Sequence, residues 1–84
     1  MKHQATSAFW TCYAKLPRQV RSLADKNYEL LKADPYHPSL HFKKVGTYWT
    51  LRVGSHYRAI ANVDGDNMVW FWIGSHADYD KLVG

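Results

Sequence analysis

The hydrophobic pattern of the chain changes from a helical repeat to a two-residue repeat on either side of Asp34-Pro35. Before this point, apolar residues recur at helical spacing, as Val20, Leu23, Ala24, Tyr28 and Leu31 do. After it, residues 49–53 and 57–63 alternate between the two faces of a strand. A chain of 84 residues has room for one small domain. We therefore expect a single domain, residues 1–84, in which helices precede a sheet.

Two helices are predicted in the first part of the chain. Ser7 is the expected N-cap of a short helix, and Pro17 fits the first turn of a second helix, where its missing N–H is not needed. The second helix should end before Asp34-Pro35, because a proline disfavours helical backbone at the residue before it. The short turn between the two helices predicts that they fold back as a hairpin.

The rest of the chain predicts strands at residues 42–45, 49–53, 57–63 and 68–73, and a helical turn within residues 77–82. The segment Asp64-Gly65-Asp66-Asn67 is a strong hairpin signal between the last two strands. The predicted fold class is α+β, with the N-terminal helix hairpin packed on one face of a mainly antiparallel four-stranded sheet and a short C-terminal helical turn.

Alternation along the strands assigns residues to the two faces of this sheet. Under the helix hairpin we expect Trp49, Leu51, Val53, Val69, Phe71 and Ile73. On the opposite face we expect Thr50, Arg52, Arg58, Trp70, Trp72 and His76. Cationic side chains that are distant in sequence should therefore converge on one side of the sheet.

The charge distribution favours a phosphate-containing partner. The formal net charge is +4, and no Asp or Glu occurs between Asp34 and Asp64. The single Cys12 excludes an internal disulfide, and neither metal-ligand spacing nor a phosphate-binding glycine loop is present, so no metal or cofactor is expected. No apolar run approaches the roughly 20 residues of a membrane-spanning helix. We expect a soluble cytoplasmic protein with no membrane partner.

One type of reaction is predicted by the combination of Arg52, Arg58 and His76. A guanidinium can hold a phosphate through two parallel hydrogen bonds, and an imidazole can transfer a proton near neutral pH. These are the minimum requirements for RNA cleavage without a metal, in which a 2′-hydroxyl attacks the adjacent phosphorus and an acid protonates the leaving 5′-oxygen. Solvated arginines and a helix-capping histidine are the structural alternative.

Three segments carry a family resemblance: Trp49-Thr50-Leu51-Arg52-Val53, Gly54-Ser55-His56-Tyr57-Arg58-Ala59-Ile60 and Ile73-Gly74-Ser75-His76-Ala77-Asp78-Tyr79. With two helices before them, they resemble the RelE/ParE superfamily of type II toxin–antitoxin toxins over nearly the whole chain. Members of the RelE, YoeB and HigB type cleave mRNA in the ribosomal A site, whereas ParE members inhibit DNA gyrase. A cognate antitoxin neutralises either kind by wrapping around the toxin.

The resemblance implies roles for particular residues. Arg58 matches the arginine that contacts the scissile phosphate, His76 matches a proton-transfer position, and Tyr79 is the nearest substitute for a C-terminal tyrosine. Thr50 and Arg52 occupy the positions of two strand lysines in RelE. The expected catalytic residues are thus Arg58, His76 and Tyr79, and the expected RNA- or phosphate-binding residues are Lys43, Lys44, Thr50, Arg52 and His56. The glutamate base of YoeB has no acidic counterpart, which leaves His41, Lys44, His56 or no residue in that role.

The predicted function is that of a toxin which cleaves ribosome-bound mRNA without a metal and thereby inhibits translation. Its expected protein partner is an antitoxin with an acidic, amphipathic binding segment. Two alternatives stay open at this point: a ParE-like gyrase inhibitor that acts by binding, and a degenerate member that binds antitoxin only.

Overall fold

The computed structural model of the chain describes residues 2–83. In chain order its elements are β1 (Lys2–Ala5), α1 (Ser7–Ala14), α2 (Arg18–Ala33), a 3-10 turn (Pro38–Leu40), β2 (Lys43–Val45), β3 (Tyr48–Val53), β4 (Tyr57–Asp64), β5 (Asn67–Ser75) and α3 (His76–Val83). Within residues 2–83, none of the helices has the length and apolar character needed to cross a bilayer.

The strands form one five-stranded sheet in the order β1-β5-β4-β3-β2. Strands β2 to β5 pair antiparallel, and β1 lies parallel to β5 along the edge of the sheet. The expected α+β class is confirmed, with a fifth strand that the sequence did not predict. Lys2–Ala5 has four residues without an apolar alternation, so its pairing with β5 depends on tertiary structure alone.

The helix boundaries differ slightly from those predicted. Thr6, rather than Ser7, caps α1, because its Oγ1 accepts a hydrogen bond from the backbone N–H of Phe9 at 3.1 Å. Pro17 lies one residue before α2 and serves as its N-cap residue. The second helix ends at Ala33, immediately before Asp34-Pro35, as predicted.

The main core lies between the helices and the sheet, and a bulge in β5 changes the predicted faces. The register shifts between Ile60 and Ala61, which pair with Trp72 and Trp70, so Phe71 is an extra residue. Trp70 is consequently buried in the main core, and the prediction that it lies on the opposite face is wrong. Val69 and Phe71 are half-buried instead of lying under the helices. The other assignments to this face are confirmed: Leu51, Val53 and Ile73 are buried in the core, and Trp49 packs against it.

The opposite face of the sheet is covered in part by α3, which is longer than the predicted turn. Tyr79 of this helix is only 7% exposed, and Ile60 on β4 is also buried. This second, smaller packing layer positions the C-terminal helix above β5 and above β4, the strand that carries Arg58.

Candidate active site

The β3–β4 hairpin places two arginines side by side. Arg52 and Arg58 are direct partners in the antiparallel register, and each lies three residues from Ser55 at the centre of the turn. Gly54 begins the turn with φ of +64°, a conformation that favours glycine. A Cβ at that position would also lie 2.7 Å from Cδ2 of Leu23 on α2, so Gly54 lets the helix approach the turn closely.

His76 joins this pair at the point where β5 ends and α3 begins. The Nε of Arg58 donates a hydrogen bond to Nδ1 of His76 at 2.9 Å. The backbone N–H of His76 donates to the carbonyl oxygen of His56 at 2.7 Å, which fixes the start of α3 against the β3–β4 turn. Since arginine has no acceptor atom, Nδ1 of His76 carries no proton in this contact.

Tyr79 contacts both members of this pair. Its ring stacks on His76 with centroids 5.9 Å apart, and the guanidinium carbon of Arg58 lies 5.2 Å from its centroid. The structure thus brings the three residues predicted as catalytic together. Tyr79 is buried, and its ring packs against both Arg58 and His76.

Arg58 retains an unused donor. Its Nη1 is buried and has no hydrogen-bond partner among residues 2–83. A buried unsatisfied donor is costly, and an anion that accepted this N–H would remove the cost once the side chains that cover Nη1 move aside.

Trp72 lies beside Arg58 on the outer face of the sheet, the face that points away from the main core. Gly74 is the direct partner of Arg58, and a Cβ on Gly74 would lie 2.5 Å from Cζ2 of Trp72. The absence of a side chain at Gly74 therefore allows the indole of Trp72 to cover this part of β5.

Arg52 has a histidine partner of its own. Its Nε donates to the carbonyl oxygen of Gly54 at 2.8 Å, and its Nη1 lies 3.2 Å from Nε2 of His41. His41 is a non-glycine residue with a positive φ, 45°, at the end of the 3-10 turn. From the sequence, His41 is one of several candidates for a base, and its irregular segment carries no periodic signal.

An acidic residue approaches His76 from its own helix. Oδ2 of Asp80 lies 3.4 Å from Nε2 of His76, and the side chains of both residues are about half exposed. Asp78 instead lies in the first turn of α3, where its backbone N–H donates to Oγ of Ser75. From the sequence, Asp78 and Asp80 could each orient His76 or begin a helix. The structure gives the contact with the imidazole to Asp80, four residues after His76 on α3.

The remaining predicted binding residues separate by register. Lys43 is opposite Thr50 and therefore shares the face of Arg52, whereas Lys44 is opposite Trp49 and belongs to the other face. Both lysines are exposed. Thr50 is fully buried, with its hydroxyl 3.5 Å from the carbonyl oxygen of Lys43, so it does not reach a surface-bound phosphate in this conformation.

The site combines two guanidinium groups, each beside an imidazole nitrogen, on a segment without acidic residues from 35 to 63. Within residues 2–83, no group of three or more His, Cys, Asp or Glu side chains is arranged to hold a metal ion. The arginines can bind an anionic phosphate, and the imidazoles are placed to exchange protons with groups next to it.

Comparison with solved structures defines the class of fold. A chain of the RelB–RelE antitoxin–toxin complex from Methanococcus jannaschii matches with a TM-score of 0.74 and 18% identity, over 96% of this chain and 99% of that one. The YoeB/ParE toxin from Agrobacterium tumefaciens matches with a TM-score of 0.69 and 16% identity, over 90% and 99%. The isolated RelE toxin of E. coli matches with a TM-score of 0.64 and 12% identity, over 96% and 94%. The fold is therefore that of the RelE/ParE toxins.

A match to a family model assigns the chain to a protein family. Residues 18–81 match the ParE-like toxin domain, which is most of the sequence. The chain belongs to the family of ParE-like toxin domains, and the resemblance to the RelE/ParE superfamily is confirmed. No curated protein sequence matches it at a significant level.

Proposed function

We propose that the chain is the toxin of a type II toxin–antitoxin system and that it cleaves mRNA bound in the ribosome. The observation that carries this proposal is the hydrogen bond between Arg58 and His76, together with the unused Nη1 donor of Arg58. A phosphate that accepted hydrogen bonds from Arg58 would lie next to an imidazole capable of proton transfer.

The proposed reaction is a transfer of the phosphoryl group within the RNA. The 2′-oxygen of one nucleotide forms a bond to the adjacent phosphorus, and the bond from phosphorus to the 5′-oxygen of the next nucleotide breaks. Arg58 and Arg52 stabilise the additional negative charge on the phosphoryl oxygens, and His76 protonates the departing 5′-oxygen. The products are a 2′,3′-cyclic phosphate and a 5′-hydroxyl. Lys43 and the backbone around His56 lie on the surrounding surface.

The proposed protein partner is a cognate antitoxin. The net charge of +4 favours an acidic segment, and the exposed apolar side chains of Trp10 and Tyr28 offer anchors for its hydrophobic side. Such a segment would fold into a helix or strand as it binds. Association should slow as salt rises, and salt-independent binding or a basic antitoxin segment would contradict this part of the proposal.

The test is an expression pulse followed by measurement of protein and DNA synthesis, combined with cleavage of ribosome-bound mRNA in vitro. Arg58→Ala should lower the cleavage rate about 10²–10³-fold, and His76→Ala about 10²–10⁴-fold. Arg18→Ala, a surface substitution at the start of α2, is the control. Circular dichroism establishes that each variant is folded.

The family match to ParE-like domains favours one second candidate, inhibition of DNA gyrase by binding. An early halt in DNA synthesis, with translation intact, would support it. Full toxicity of a folded Arg58→Ala, His76→Ala double variant would overturn the nuclease proposal.

A further inference from the structure

We propose that His41 is the general base of this site. The inference rests on the proposed nuclease function and completes it, because Arg58 and His76 supply phosphate binding and a proton donor but no group that removes the proton of the 2′-hydroxyl.

The four side chains concerned form a continuous row across the outer face of β3 and β4. His41 contacts Arg52 at 3.2 Å, Arg52 is the register partner of Arg58, and Arg58 contacts His76 at 2.9 Å. Directly opposed residues of antiparallel strands have Cα atoms about 4.5–5.5 Å apart. The two imidazoles therefore contact different members of one cross-strand pair of arginines, and a phosphate held by both arginines would have a histidine beside each of them.

The hydrogen bond with Arg52 determines which nitrogen of His41 is free of a proton. Guanidinium groups only donate, so Nε2 of His41 accepts from Arg52 and carries no proton there. A phosphate that drew the N–H groups of Arg52 toward its own oxygens would release the lone pair on Nε2. The base would thus become available when the substrate binds.

The surroundings of the two histidines differ in a way that assigns their roles. Asp80 lies 3.4 Å from Nε2 of His76 and can balance the positive charge of its imidazolium form. That form requires a proton on Nδ1 as well, and Nδ1 becomes free to take one when a bound phosphate draws the Nε–H of Arg58 away from it. No carboxylate forms an ion pair with His41 among residues 2–83, and the chain from residue 35 to residue 63 contains none. His76 is therefore suited to donate a proton and His41 to accept one.

The other candidates for the base fit less well. Lys44 belongs to the opposite face of the sheet because it is paired with Trp49. His56 contributes its backbone carbonyl to the start of α3, and its side chain has no hydrogen bond to either arginine.

In the completed reaction, His41 takes the proton from the 2′-hydroxyl as the 2′-oxygen bonds to phosphorus. His76 gives a proton to the 5′-oxygen as its bond to phosphorus breaks. One proton is taken up and one is released, so the reaction needs no further reactant. Proton exchange with water then returns both histidines to their starting states.

The test compares two ribosome-bound mRNAs that differ at the scissile bond, one natural and one with sulfur in place of the bridging 5′-oxygen. A thiolate leaves without protonation, so the sulfur substrate no longer needs a general acid but still needs a base. His41→Asn and His76→Asn are the test variants; asparagine tolerates the positive φ at residue 41. His37→Asn is the matched control, because it removes a neighbouring imidazole while keeping an acceptor for the N–H of Ser39.

We expect His41→Asn to lower the rate about 10²–10⁴-fold on both substrates, and His76→Asn to be slow on the natural substrate only. A second variant, His41→Gly, suits the backbone conformation and should regain activity when free imidazole is added. Wild-type rates for His41→Asn beside a slow His76→Asn would overturn the role of His41 and leave the nuclease proposal intact. Recovery of His41→Asn on the sulfur substrate would also overturn it, and failure of the wild type to cleave either RNA would overturn the nuclease proposal itself.

Discussion

Arg52 and Arg58 face each other across β3 and β4, in a part of the chain that contains no carboxylate to compensate their charges. Two adjacent cations repel each other, and here each guanidinium is held by a neutral acceptor instead: a turn carbonyl and His41 for Arg52, and His76 for Arg58. The folded chain therefore maintains a local excess of positive charge. An anion bound between the arginines would relieve this repulsion.

Inorganic phosphate should accordingly stabilise the fold. A ligand that binds the folded state at 100 times its Kd adds about 2.7 kcal/mol to the free energy of unfolding. We expect the Tm to rise with phosphate at constant ionic strength, and the rise to be lost in Arg52→Gln. Differential scanning calorimetry measures both effects.

The appropriate control for the phosphate experiment is Arg18→Gln, which removes one cation at the distant start of α2. An equal response of Arg18→Gln and Arg52→Gln to phosphate would mean that the stabilisation is a general salt effect.

A pair of valines tests the observed register of β5. Val53 is 1% exposed in the main core. Val69 is half-buried and lies on the other face of the sheet from its neighbours Met68 and Trp70. Val53→Ala should reduce the free energy of unfolding by about 2 kcal/mol, from two lost methyl groups and the cavity they leave. Val69→Ala should cost about half as much. Urea denaturation measures both, and equal losses would contradict the register.

The fold was predictable wherever a periodic pattern continued without interruption. The α2 helix, its end at Asp34-Pro35 and the alternation of β3 and β4 all follow from the sequence. The face assignments along β5 failed at Phe71, because a bulge inserts one residue and every side chain before it changes face. Nothing in an apolar strand indicates where such an insertion occurs.

The site was predictable in part for the same reason. Arg52 and Arg58 could be assigned to one face by alternation, and His76 lies just after the last strand, so hairpin geometry brings the three together. The contact of His41 with Arg52 depends on the path of an irregular connection and on a left-handed backbone conformation. Burial of Thr50 depends on packing around β2 and β3, which alternation alone does not reveal.

Gly74→Ala should disturb the site through Trp72. The new methyl group would lie 2.5 Å from Cζ2 of Trp72, so the indole must move, at a cost of about 1–3 kcal/mol in the free energy of unfolding. Because Gly74 is paired with Arg58, cleavage should also slow. Trp72→Phe in the same chain removes the clashing ring atoms and should restore part of the stability, which a double-mutant cycle by urea denaturation would detect. Additive losses would show that Trp72 is not the obstacle.

The stability of the fold should fall in mild acid because of His3. This residue lies on the edge strand β1, where its Nδ1 accepts a hydrogen bond from Nε1 of Trp70 at 3.1 Å. Burial lowers the pKa of His3 below its usual value of 6.5, and the nearby Lys32 lowers it further. The unfolded chain therefore binds a proton more readily than the folded chain, so the contribution of neutral His3 is complete above about pH 6.5 and is lost as the pH falls through the folded pKa. His3→Asn keeps an acceptor for Trp70 but does not titrate, and its free energy of unfolding should decrease less than that of the wild type between pH 7 and pH 5. Urea denaturation followed by tryptophan fluorescence measures this difference, and parallel pH profiles for the two proteins would contradict the prediction.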